Sequence, residues 1–135
     1  MTQSEHEESV IKAFVVPRKR DRMLSLLANP RRRRKALNAL YHFGDLDDRF
    51  VVSVEPRQQT AEGIAEALRS YGAPDKCWVI STDDSLDARE MLLNEALAAI
   101  VGYGDGNLIS CVAGKLAFFE GEGPNDRCIL HRHGP

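Results

Sequence analysis

The sequence is poor in the features that usually announce a function. It holds no apolar run near the roughly 20 residues that a bilayer-spanning helix needs, which argues against a membrane segment. Its opening, MTQSEHEESV, is acidic and polar, the opposite of a secretory or organellar targeting segment. Residues 1–9 therefore read as a disordered acidic lead-in. Cysteine is scarce: Cys77, Cys111 and Cys128 are odd in number, widely spaced, and each set in an apolar run. That usage fits buried thiols in a reducing compartment better than a disulfide framework, so a cytoplasmic location is expected. No repeat, linker or low-complexity stretch divides the chain. Residues 10–135 are expected to form one domain around a single core.

Cofactor and metal signatures are equally thin. GYGDGN, residues 102 to 107, is glycine-rich, but it follows a helical pattern and precedes a strand. A dinucleotide loop runs in the reverse order, from strand into helix. Gly102 as a helix terminator and Asp105-Gly106 as a turn account for the segment without a ligand. CILHRH, residues 128 to 133, offers Cys128, His131 and His133, with Cys111 elsewhere. On a strand, however, His131 and His133 share a face that Cys128 does not, and zinc needs four converging ligands. No cofactor and no metal are expected.

The elements are easier to read. VIKAFVV, residues 10 to 16, is β-branched and aromatic and reads as a strand ending at Pro17. RKRDRMLSLLA places Met23, Leu24 and Leu27 at helical spacing. A second helix is expected from Pro30 to about Phe43, with Asn29 as its cap and Gly44 beyond its end. RFVVSVEP, residues 49 to 56, reads as a strand, and Thr60 caps a helix that stops at Gly72 and Pro74. KCWVIST, residues 76 to 82, has the continuous apolar character of a strand buried on both faces. Asp87 and Glu90 resemble a capping box for a helix reaching Val101. NLISCV and KLAFFEGE flank Ala113-Gly114 as a hairpin, and RCILHR supplies a last strand. The expectation is an α/β domain with a mixed β-sheet of five or six strands, some paired in parallel, helices packed on it, an N-terminal helical hairpin and a C-terminal β-hairpin.

What the chain has in excess is basic charge in one place. The net charge is −2, yet Lys12 to Gly44 carry ten Lys and Arg against the single acid Asp21, giving +9. Asp45 to Pro135 carry eight against sixteen, giving −8, and Glu5, Glu7 and Glu8 make up the remainder. NPRRRRKAL, residues 29 to 37, is the densest part. On a helix, Leu37, Leu40 and Tyr41 form the apolar side; Arg31, Lys35, Asn38 and His42 face solvent with Arg32 beside them. Arg33 falls on the apolar side, where its stem can pack while its head reaches outward. Four arginines in a first turn sit at the positive end of the helix dipole, where cations destabilise by about 0.3–1 kcal/mol each. A broken local rule of this kind calls for a compensating anion.

Two sources of that anion compete. One is external phosphate, which backbone N–H groups at a helix N-terminus and bidentate arginines both suit. Arg31, Arg32, Arg33, Arg34 and Lys35, extended by Lys12, Arg18, Lys19, Arg20 and Arg22, would then be a nucleic-acid-binding surface, with RNA favoured among nucleic acids and an acidic protein or phosphorylated small molecule as the alternative ligand. Tyr41, Phe43 and Phe119 are the candidates for base stacking. The other source is internal: GDLDD, residues 44 to 48, and the acidic remainder of the chain. Two further readings come from other classes. STDDSLD follows a strand, and Asp83, Asp84 and Asp87 would be the carboxylates of a small enzyme. The apolar helix from Met91 to Val101 would serve an interaction subunit or a homodimer by burial in a partner.

Overall fold

Residues 3–14, read from sequence as a disordered lead-in running into a strand, form one helix, α1 (Gln3–Phe14). Its start is fixed by a capping box: Thr2 Oγ1 accepts from the Glu5 N–H, and the Glu5 carboxylate accepts from the Thr2 N–H. His6, Glu7, Val10, Ile11, Ala13 and Phe14 are buried along one side, which is a helical period and not the alternation of a strand. Burial of that stripe outweighs the β preference of Val10 and Ile11, because propensity is a weak prior beside packing.

The structure is a computed structural model that describes residues 2–41, 45–103, 106–121 and 126–132. After α1 come the two arms of the expected helical hairpin, α2 (Pro17–Ala28) and α3 (Arg33–Tyr41). The linking turn is organised by Asn29. Its Oδ1 accepts from the Arg31 N–H, and its carbonyl accepts from those of Arg32 and Arg33. The helix thus begins slightly later than Pro30, and its expected end at Phe43 and Gly44 lies outside the described residues.

The remaining elements are β1 (Val51–Ser53), α4 (Ala61–Ser70), β2 (Lys76–Ser81), β3 (Arg89–Leu92), α5 (Leu93–Ile100), β4 (Asn107–Val112), β5 (Leu116–Glu120) and β6 (Arg127–His131). They build one six-stranded sheet in the order β1-β6-β5-β4-β2-β3. Among the described residues every pairing is antiparallel, so the expected parallel component is absent there. The reason is β3: residues 89–92, expected inside a helix from Asp87, instead return as a strand beside β2. Asp87 does not cap a helix. Ala88 takes a left-handed conformation (φ 59°) that reverses the chain, and α5 starts only at Leu93.

Helices cover the sheet on both faces. Ile80, Leu108, Ala117, Phe119 and Leu130 point toward α1, α2 and α3, whereas Cys77, Val79, Ile109, Phe118 and Ile129 point toward α4 and α5. Two cores separated by one sheet explain why the central strands read as unbroken apolar runs. The outcome is the expected single α/β domain with its N-terminal helical hairpin and C-terminal β-hairpin. No helix of the described residues is long and apolar enough to cross a membrane.

Candidate functional site

The arginine run lies where α2 turns into α3, and the fold divides it. Arg33 faces inward, toward α1 and the loop after β2. Its Nη1 and Nη2 donate to the two Glu7 oxygens, each at 2.7 Å. Its Nε and Nη2 donate to Asp87 at 2.7 and 2.9 Å, and Nη1 also donates to the Leu27 carbonyl at 3.4 Å. These contacts use all five N–H donors of the guanidinium, so Arg33 has none left for an external anion. The three side chains are 19%, 10% and 11% exposed, respectively, for Arg33, Glu7 and Asp87. Hydrogen bonds to Asp87 and then to Glu7 hold the guanidinium pKa above its usual range.

Arg34 is also engaged, though at the surface. It donates to the Asp84 carboxylate and, at 2.8 Å, to the Thr82 carbonyl. Its side chain is 48% exposed and that of Asp84 83%, so this pair contributes little. The acids over the wrong end of the helix dipole are therefore Glu7, Asp84 and Asp87, and not the neighbouring GDLDD segment. Asp47, in that segment, pairs with Arg49 instead.

The other basic residues remain outward. Arg18, Lys19, Arg22, Arg31, Arg32 and Lys35 are exposed, and among the described residues none of them forms an ion pair. Arg20 is half-buried, with its Nε donating to the Val15 carbonyl at 2.8 Å. Arg18 and Arg22 are one helical turn apart on α2, which is about 18 Å long at 1.5 Å per residue. Arg31 and Arg32 occupy the turn at its far end, and Lys35 lies on the first turn of α3. The exposed cations thus fall into two groups on the hairpin, Arg18, Lys19 and Arg22 on the first turns of α2, with the acid Asp21 among them, and Arg31, Arg32 and Lys35 around the turn into α3. Phe119 cannot serve for stacking, since it is 3% exposed in the core; Phe43 lies outside the described residues.

The acidic loop offers poor material for catalysis. Asp83 accepts from both the N–H and the hydroxyl of Ser85, which holds its carboxyl below the usual range. A general acid needs a shift in the opposite direction. Asp87 is committed to Arg33 and to the Ser81 N–H at 3.0 Å, and Asp84 to Arg34. The helix expected to reach a partner, now α5, buries Leu93, Ala96, Leu97 and Ile100 within the molecule. Asn94, Glu95, Ala98 and Ala99 form its outer side.

The cysteines are free; burial pushes the Cys77 and Cys128 thiols up to about 12 and raises Cys111 as well. A raised thiol is a poor nucleophile. His131 stacks at a tilt on Tyr71, while His133 is outside the described residues. Among the described residues no three His, Cys, Asp or Glu are placed to hold a metal ion. Gly102 follows α5 in a left-handed conformation (φ 93°), as a helix terminator should, and its N–H donates to the buried Glu120 carboxylate.

Sequence reasoning missed Glu7, the residue that explains Arg33. The signal was present: Thr2-x-x-Glu5 is a capping box, and a helix from Gln3 places Glu7 one turn before Val10 and Ile11 on the same side. No family model matches the chain, and no curated protein or solved structure matches it.

Proposed function

We propose that this chain is a non-enzymatic cytoplasmic binding module whose helical hairpin engages the phosphate backbone of RNA. The observation that carries the reading is the set of hairpin cations Arg31, Arg32, Lys35, Arg18, Lys19 and Arg22, exposed and without an ion pair among the described residues, while Arg33 is tied internally and Arg34 pairs with Asp84 at the surface. Exposed cations that share one surface repel one another, and a polyanion relieves that repulsion while releasing its own counterions. Arg33 is reassigned from contact residue to internal tie, and Arg34 and Arg20 to minor roles. With Phe119 in the core, these cations hold the backbone and do not read bases, so sequence preference is weak.

The test is purification without nuclease, followed by the ratio of absorbance at 260 and 280 nm. The reading predicts a ratio well above that of clean protein for the native chain and a return to the clean value for Arg31→Glu combined with Arg32→Glu. A clean ratio, together with no retention of added RNA at low salt, contradicts it.

A further inference from the structure

A cleft of about 440 Å³ opens between α1 and α2, beside the arginine that the hairpin turns inward. That volume lies in the range of about 300–1,000 Å³ that small-molecule sites occupy. Leu24 and Leu27 give it an apolar wall, and Gln3, Ser4, Glu7 and Arg33 supply polar groups. None of the outward hairpin cations lines it.

The hydrogen-bond inventory decides what it can accept. Arg33 lines the cleft but has spent all five donors on Glu7, Asp87 and Leu27. Gln3 commits its Nε2 to Glu7 at 2.7 Å and to the Val79 carbonyl at 3.3 Å, and its buried Oε1 has no donor. Glu7 Oε1 takes one N–H, from Arg33, and an ionised carboxylate oxygen has room for a second. Apart from the Ser4 hydroxyl, which can donate or accept, the spare side-chain positions are acceptors. The charges agree: two carboxylates, Glu7 and Asp87, share one guanidinium, while Glu8 at the rim is paired with Lys12 at 2.6 Å. An anion finds one hydroxyl donor, Ser4, and no net positive charge there. Ala88 holds its left-handed conformation in the same wall, which is where strain often accompanies a ligand site.

We propose that this cleft binds a small monocation, a protonated amine carried on an apolar body, with the body against Leu24 and Leu27 and the ammonium toward Glu7 and Gln3. An ammonium brings three donors and one positive charge to a wall with spare acceptors and one excess negative charge.

The experiment is a titration of the full chain followed by amide proton–nitrogen shifts, with benzylammonium, its neutral isostere benzyl alcohol, and benzoate as probes. The expected result is saturable shifts at Ser4, Glu8 and Ala88, with benzylammonium about tenfold tighter than the alcohol, the ratio that about 1.4 kcal/mol of charge-assisted bonding gives. Ala28→Trp, at an exposed lining position, should fill the mouth and abolish the shifts. Should that variant misfold, Glu8→Gln removes a rim charge and should weaken benzylammonium several-fold while leaving the alcohol unchanged. Equal binding of amine and alcohol, tighter binding of benzoate, or shifts that do not saturate at these amides overturns the proposal. Native affinity in a folded Ala28→Trp variant or in Glu8→Gln overturns it as well.

Discussion

Arg33→Leu would leave Glu7 and Asp87, both largely buried, facing each other without their shared guanidinium. Breaking a buried pair from one side costs about 3–5 kcal/mol, mostly from the uncompensated charge that stays behind. Chemical denaturation should show a loss of that order, against a change within about 0.5 kcal/mol for the exposed Arg32→Ala. A small loss for Arg33→Leu would mean that the carboxylates reach water or each other's proton more easily than the geometry implies. His6 supplies a second residue-scale prediction. It is 5% exposed, stacks on Trp78 with ring centroids 3.8 Å apart, and shares a 2.8 Å hydrogen bond with Ser110. Burial lowers its pKa from 6.5, so the folded chain resists a proton that the unfolded chain accepts. Stability is therefore intact above about pH 6.5 and falls as pH drops below it, until the lowered folded pKa is reached. His6→Phe keeps the stack and should flatten that part of the stability–pH curve. The arginine anomaly itself was legible from the sequence, since four cations at a helix N-terminus break a local rule. Its resolution was not, because Glu7 and Asp87 lie 26 and 54 residues from Arg33.

At the scale of elements, α4 and β3 show where local signals suffice and where they fail. Thr60 caps α4 by accepting from the Gly63 N–H, as its position before an amphipathic run predicts. Gly63 looks like a weak point in that helix, yet a Cβ there would sit 2.8 Å from the backbone of Gln58. Gly63→Ala should lower stability by about 1–3 kcal/mol, the scale of an overpacked site, although alanine is the better helix former. A gain in melting temperature would show that the turn before α4 yields freely. β3 was misread because Asp87 and Glu90 stand three apart, as in a capping box. The spacing cannot show that Asp87 is claimed by Arg33 or that Glu90, opposite Trp78, reaches diagonally to Lys76 on β2, with 3.4 Å between their charged groups. Ala88 makes the turn between them. Relief of its left-handed strain, worth about 1–2 kcal/mol, should offset the added chain entropy of glycine, leaving Ala88→Gly neutral or stabilising. A loss equal to that of an ordinary helical Ala→Gly change would deny the strain.

For the whole molecule, the two-faced sheet was readable and its direction was not. Continuous apolar strands announced cover on both sides, but the alternation of helix and strand suggested parallel crossovers that the antiparallel order replaces. The same global arrangement divides the charge. Asp87 from the acidic part of the chain, together with Glu7, ties Arg33 on the hairpin's inner side, Asp84 pairs with Arg34 at the surface, and the remaining hairpin cations stay exposed. That division is the central claim, and the salt dependence of RNA binding tests it most directly. A labelled single-stranded RNA, titrated by fluorescence anisotropy over a series of salt concentrations, gives log K against log salt, whose slope counts the phosphates neutralised at about 0.7 each. The hairpin account predicts that Arg31→Glu with Arg32→Glu flattens the slope by at least about 1.4, whereas Arg57→Glu, on a 3-10 turn packed with α4, leaves it unchanged. An unaltered slope in the double variant, an equal effect from Arg57→Glu, or no binding at low salt would contradict it.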